Sequence, residues 1–206
     1  TIIHVGKDGI GENLIKQADD GREDSKHAGA FMPRTIEVKN YRSYTEAAFD
    51  FSPVHMAMVN GQNGVGKSSL FMDAIADCLY EQTRKEDIGG WVRDGTKSGS
   101  ITFSFALGGQ DYRAIRTRTK SGRGTLALQR WNPEGDAWAD ESDTTMKLTQ
   151  ARIERLLGMD CNTFCSIALI RQDAYGLFLD ADSDRRMEVL SALLGLDIYG
   201  RMEDIA

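Results

Sequence analysis

Apolar and polar positions alternate through much of the first half of the chain. Ile36 and Val38 predict a strand from Thr35, and Ala47, Phe49 and Phe51 predict a second one after the polar turn Tyr41 to Tyr44. Val54 to Val59 is a short apolar run of the buried-strand kind, and it leads directly into a glycine-rich stretch, Gly61 to Gly66. From Lys67 to Tyr80 the period lengthens, with Leu70, Phe71, Ala74 and Ile75 marking one inward helical stripe. The pattern predicts a strand, loop, helix unit.

Beyond Glu81 a polar connection reaches Ser98. Ile101, Phe103, Phe105 and Leu107 then alternate strictly, followed by Asp111 to Thr119 and Thr125 to Trp131. These predict an antiparallel meander turned at Gly108-Gly109 and at Ser121 to Gly124, where glycine suits positive φ. Asn132 to Thr144 reads as a loop. Helical spacing resumes through Met146, Ile153, Leu156 and Leu157. Ser183 reads as the N-cap of a helix carrying Met187, Leu190 and Leu194, with Gly195 as its stop, and a further helix starts at Asp197. Residues 1–31, with the acidic cluster Asp19, Asp20, Glu23 and Asp24, read as a leader or appendage. The domain proper is expected over 32–196.

Composition narrows the picture. A chain of 206 residues, 41% of them hydrophobic, supports a substantial core. Its 25 basic and 31 acidic residues give a net charge of −6, so any contact with nucleic acid is expected to be local. The sequence shows neither an 18-residue apolar run nor a basic-then-apolar leader, so no membrane partner is expected and the location read is cytoplasmic. Cys78, Cys161 and Cys165 include no Cys-x-x-Cys pair, and His4, His27 and His55 are scattered. Reduced, buried thiols are expected rather than disulfides or zinc.

The chemistry concentrates in GQNGVGKS, Gly61 to Ser68, which fits G-x-x-x-x-G-K-[ST]. Gly61 and Gly66 permit a tight loop whose backbone N–H groups, through Asn63, Gly64 and Val65, converge on phosphate oxygens. Lys67 supplies a point charge to the β- and γ-phosphates. The Ser68 hydroxyl suits Mg²⁺, and the helix that begins at about Lys67 and runs on through Ser69 adds its positive end. The expected cofactors are ATP and Mg²⁺. An acid directly after an apolar strand would complete hydrolysis, but in Ile167 to Asp173 the residues Arg171 and Gln172 separate the apolar run from Asp173.

Four segments together resemble the N-terminal half of SbcC-type ATPases: VKNYRSY (Val38 to Tyr44), GQNGVGKSSLFMDAI (Gly61 to Ile75), LIRQDAYGLFL (Leu169 to Leu179) and DRRMEVLSALLGLDIY (Asp184 to Tyr199). These ATPases have ABC-type heads and are coiled-coil partners of a nuclease that repairs DNA double-strand breaks. The resemblance implies an α/β fold: a P-loop NTPase core, the N-terminal lobe of an ABC-type ATPase head, with an antiparallel β meander and a helical part leading to a coiled-coil root at 197–206. It implies a composite site completed by the C-terminal half of the same ATPase and by a second head in a homodimer. It also implies an SbcD-type nuclease subunit and double-stranded DNA as partners. By the same resemblance Gln172 would coordinate Mg²⁺ or orient the attacking water. Arg42 and Ser43 would approach the nucleotide from its base or phosphate side, and Asn63 would contact the γ-phosphate or its water. Asp173 stands where the family often has glycine, and Val65 where a small residue is common.

Two other readings use the same loop. One is an SMC-, RecF- or RecN-like chromosome-organising or recombination ATPase; the other is a self-contained phosphotransferase, which needs its catalytic acid within these residues. A further local feature is the set Arg113, Arg116, Arg118, Lys120, Arg123 and Arg130, uninterrupted by acids. Strand alternation puts Arg116, Arg118 and Lys120 on one face, either as a row along a phosphate backbone or as a solvated outer face.

Overall fold

A computed structural model describes residues 2–6, 9–13, 31–54, 56–81, 90–167 and 183. It divides into two units, Thr1–Ala151 and Arg152–Ala206. In the first, β3 (Met32–Tyr41) and β4 (Tyr44–Asp50) form the expected hairpin around the Arg42-Ser43 turn. They join β6 (Ser98–Leu107), β7 (Gln110–Thr119), β8 (Gly124–Asn132) and β9 (Ala137–Asp140) in one six-stranded sheet. Its order is β4-β3-β6-β7-β8-β9, and every neighbouring pair is antiparallel.

Register explains which residues form the core. Ile36 stands opposite Phe49 and Phe103, Val38 opposite Ala47 and Ile101, and Ala114 opposite Phe103 and Leu128. With a side-chain period of two, these positions share one face, and all of them are buried. Each large apolar side chain buried there contributes roughly 1.5–3 kcal/mol.

A second, three-stranded sheet carries the glycine loop. The strand β5 (Met58–Asn60) leads into the loop, and β1 (Ile2–Gly6) runs parallel to it with Ile2 opposite Met58 and His4 opposite Asn60. β2 (Gly9–Asn13) folds back antiparallel on β1. The segment that reads from sequence as a leader therefore supplies a strand beside the one that opens the phosphate loop.

After the loop the chain is helical to Tyr80. Ser69–Asp73 form a π-helical turn, with the Ala74 N–H donating to the Ser69 carbonyl, and α1 (Ala74–Tyr80) continues it. Every residue of α1 is buried. The helix packs on the inner sheet face, where the Cys78 thiol donates to the carbonyls of Ile101 at 3.7 Å and Ala114 at 3.5 Å. Burial pushes that thiol up to about 12, so it stays protonated, as expected of a reduced core cysteine.

Three details depart from the sequence reading. Asn132 to Thr144 is not all loop, because Ala137–Asp140 pairs with β8 through Trp131 opposite Trp138. The connection before Ser98 holds buried Trp91 and Val92, and Val92 bridges to Tyr41. Its polar composition hid these two anchors.

The third departure is the basic row. Arg116 is 2% exposed, and its Nε donates to the Cys78 carbonyl at 2.8 Å. Its other nitrogens reach Glu81 and Gln150, while Gln150 donates to the Leu79 carbonyl. The C-terminal carbonyls of α1 thus take a guanidinium and an amide, and the cation suits the negative helix end. Arg118 pairs with Glu81, Lys120 with Asp94 and Arg130 with Glu141. The inward turn of Arg116 and this pairing leave no row of Arg116, Arg118 and Lys120 along a phosphate backbone.

In the second unit, α2 (Met146–Leu157), whose first turns belong to the first unit, ends where the Gly158 N–H donates to the Glu154 carbonyl. Asp160 caps α3 (Cys161–Ile167) by accepting from the Thr163 N–H at 2.7 Å. Gln172, Asp173, the helix expected after Ser183 and the expected coiled-coil root at 197–206 lie outside the described residues. Ser183 itself is helical. No helix among the described residues is long and apolar enough to cross a membrane.

Candidate nucleotide-binding site

The loop between β5 and the helix has the backbone that its glycines predict. Gly61, Gly64 and Gly66 have φ of 154°, 81° and 101°, and the Asn60 carboxamide braces the entrance by accepting from the Gly61 N–H at 2.8 Å. Lys67 lies across the loop, its Nζ donating to the carbonyls of Gly61 at 2.6 Å and Gln62 at 2.8 Å. The ammonium is therefore held at the loop mouth, where a phosphate oxygen would be its stronger partner.

Gly66 is also the point where another part of the fold touches the loop. A Cβ there would come within 2.7 Å of Ser43 Oγ and 2.9 Å of the Tyr44 ring. The β3–β4 turn packs directly against the phosphate loop. Ser43 is thus brought to the loop, and Asn63, Gly64 and Ser68 lie exposed around it. Val65, Lys67 and Ser69 are half-buried.

Arg42 has other partners. Its Nη1 pairs with Asp73 at 3.1 Å and its Nη2 with Asp77 at 3.4 Å, so the guanidinium lies on the helix flank. Tyr41 donates to the same Asp77 oxygen at 2.7 Å. Tyr41, Asp73 and Asp77 were not among the residues singled out from sequence, although one signal existed. Asp77 falls seven residues after Leu70, two turns on along the stripe that faces the core.

These residues fit a nucleoside triphosphate with magnesium. The chemistry is a glycine-lined cradle of backbone N–H groups, a lysine at its mouth and a serine hydroxyl in the first helical turn. No cluster of three or more His, Cys, Asp or Glu that could hold a metal occurs among the described residues.

A family model described as an AAA domain matches residues 35–199. The chain belongs to this AAA domain family. Its relatives bear out the resemblance to SbcC-type ATPases. This AAA domain is 28% identical to the SbcC component of the nuclease SbcCD of Deinococcus radiodurans over 84% of the chain and 20% of that protein. It is 28% identical to a DNA double-strand break repair Rad50 ATPase of Methanocaldococcus jannaschii over 81% of the chain and 16% of the relative. It is 30% identical to one of Thermococcus kodakarensis over 79% of the chain and 17% of the relative. The chain spans a fifth or less of the length of these curated relatives.

Proposed function

We propose that this chain is the ATP-binding part of a DNA-repair ATPase, acting in a composite site rather than alone. The observation that carries the reading is Lys67, held across a glycine cradle that opens a helix directly after a strand. Nucleotide arrival lets the ammonium exchange two neutral carbonyls for anionic phosphate oxygens, the stronger kind of hydrogen bond. The amides from Asn63 through Ser69 hold the phosphates, the Ser68 hydroxyl joins the magnesium shell, and Ser43 braces the loop from the side. Gln172 would coordinate Mg²⁺ or orient the attacking water. Bound MgATP supplies the scissile phosphoanhydride and the charge that draws Lys67.

The remaining machinery is assigned to a C-terminal half of the same ATPase and to a second head in a homodimer. The nuclease is an SbcD-type subunit, and the substrate is double-stranded DNA. The relatives' printed names, a nuclease subunit and double-strand break repair ATPases, support this choice over a chromosome-organising ATPase. A self-contained phosphotransferase would need its catalytic acid within these residues, where Arg171 and Gln172 separate Asp173 from the apolar run before it.

The test is turnover. This chain alone should bind MgATP with little hydrolysis, and activity should appear when the complementary half is added. Gln172→Ala should then lower kcat far more than it raises KM, because an amide that positions water contributes mainly in the transition state. Substantial turnover by the monomeric chain would favour the phosphotransferase.

A further inference from the structure

Asp77 is buried to 1% exposure on a helix that packs against the sheet. Its Oδ2 takes both the Tyr41 hydroxyl and an Arg42 nitrogen, while Oδ1 is buried with no hydrogen-bond partner among the described residues. Burial holds this carboxyl above the ordinary carboxylate range despite Tyr41 and Arg42 beside it. A half-satisfied buried acid destabilises a fold, so packing alone gives no reason for it here.

Its consequence is seen at the other end of the turn it grips. Asn40 and Arg42 have left-handed backbones, φ 49° and 46°. Away from glycine such conformations are uncommon, least so for asparagine, and persist where the surroundings impose them. The surroundings do so from several sides. Asp73 and Asp77 hold the Arg42 guanidinium, the Trp91 carbonyl accepts the Arg42 N–H at 2.7 Å, and the Arg93 guanidinium donates to the Ser43 carbonyl. The turn so fixed delivers Ser43 Oγ and the Tyr44 ring to the space beside Gly66.

We propose that Asp77 is a positioning residue for the nucleotide site: through Tyr41 and Arg42 it clamps the β3–β4 turn to the P-loop helix, so that Ser43 and Tyr44 hold Gly66 in its phosphate-binding conformation. The proposal rests on the nucleotide reading above. It assigns Asp77 no contact with nucleotide.

The experiment is calorimetric titration of this chain with MgATP, alongside thermal melts. The variants are Asp77→Asn, Tyr41→Phe, Ser43→Ala, the double variant Ser43→Ala/Asp77→Asn, and Lys67→Ala. Asp77→Asn and Tyr41→Phe should each weaken ATP by about five- to tenfold, the equivalent of one hydrogen bond. Asp77→Asn should do so without lowering the melting temperature, and should add nothing where Ser43 is already alanine. A residue that merely supported the fold would lower affinity equally in both backgrounds, and that result overturns the proposal. So does unchanged affinity in Asp77→Asn, or in Tyr41→Phe should Asp77→Asn not fold. Lys67→Ala separates the two levels: if it weakens ATP while Asp77→Asn does not, the positioning role alone is wrong. If Lys67→Ala leaves ATP affinity intact, the nucleotide site itself is wrong and the clamp falls with it.

Discussion

Ser43 Oγ lies 2.7 Å from the point where a Cβ on Gly66 would stand. The two residues are 23 positions apart in sequence, and their contact joins the antiparallel sheet to the phosphate loop. Gly66 is held to glycine twice over, by this crowding and by φ of 101°. Gly66→Ala should therefore lower stability by about 1–3 kcal/mol and weaken MgATP more than tenfold. Chemical denaturation and calorimetry check the two effects. An alanine variant with native affinity would show that the loop binds in another conformation.

Arg116 serves the fold. Arg116→Ala would leave the buried Cys78 carbonyl without its 2.8 Å donor and open a gap among α1, β7 and Gln150. The expected loss is about 3–5 kcal/mol, the scale for breaking a buried charged contact. Arg123→Ala, on the exposed turn, should change stability by about 0.5 kcal/mol or less. Urea melts of the two variants make the comparison, and equal stability would contradict the structural role.

Asp77 should also leave a signature in pH. Its carboxyl sits above the ordinary 3.8 because of burial, with Asp73 pushing the same way and Tyr41 and Arg42 pulling back. Arg116 is the next charge that senses it. The folded state then binds this proton more tightly than the unfolded state. Asp77's contribution is most favourable at low pH and is lost as pH rises through the raised range, by about 1.4 kcal/mol for each pH step of one. An asparagine in its place cannot titrate. The stability of Asp77→Asn relative to the native chain should therefore grow as pH rises above the ordinary carboxylate range and level off once Asp77 is ionised in the folded chain as well. Denaturation curves across that rise measure it, and a flat or shrinking difference would contradict the assignment.

Much of this was legible because period and spacing are local properties. Alternation at Ile36 and Val38 and at Ile101, Phe103 and Phe105 located strands, and G-x-x-x-x-G-K-S located the loop with its lysine. What was hidden depends on partners distant in sequence. Alternation could tell that Arg116, Arg118 and Lys120 share a face but not whether a helix covers it, and α1 does cover Arg116. Trp91 and Val92 lacked periodic neighbours, so their burial against β3 left no pattern. β9 is four residues long, too short for alternation to stand out from a polar loop. The strand before the loop proved shorter than its apolar run, Met58–Asn60 against Val54 to Val59.

Titration calorimetry of MgATP into the native chain and into Lys67→Ala tests whether Gly61 to Ser69 forms a nucleotide site governed by Lys67. The native chain should show one site. Lys67→Ala should lose about 1.5–3 kcal/mol of binding, the scale of a hydrogen bond to a charged group, with the fold intact by circular dichroism. Equal ATP affinity in the two folded proteins would contradict it.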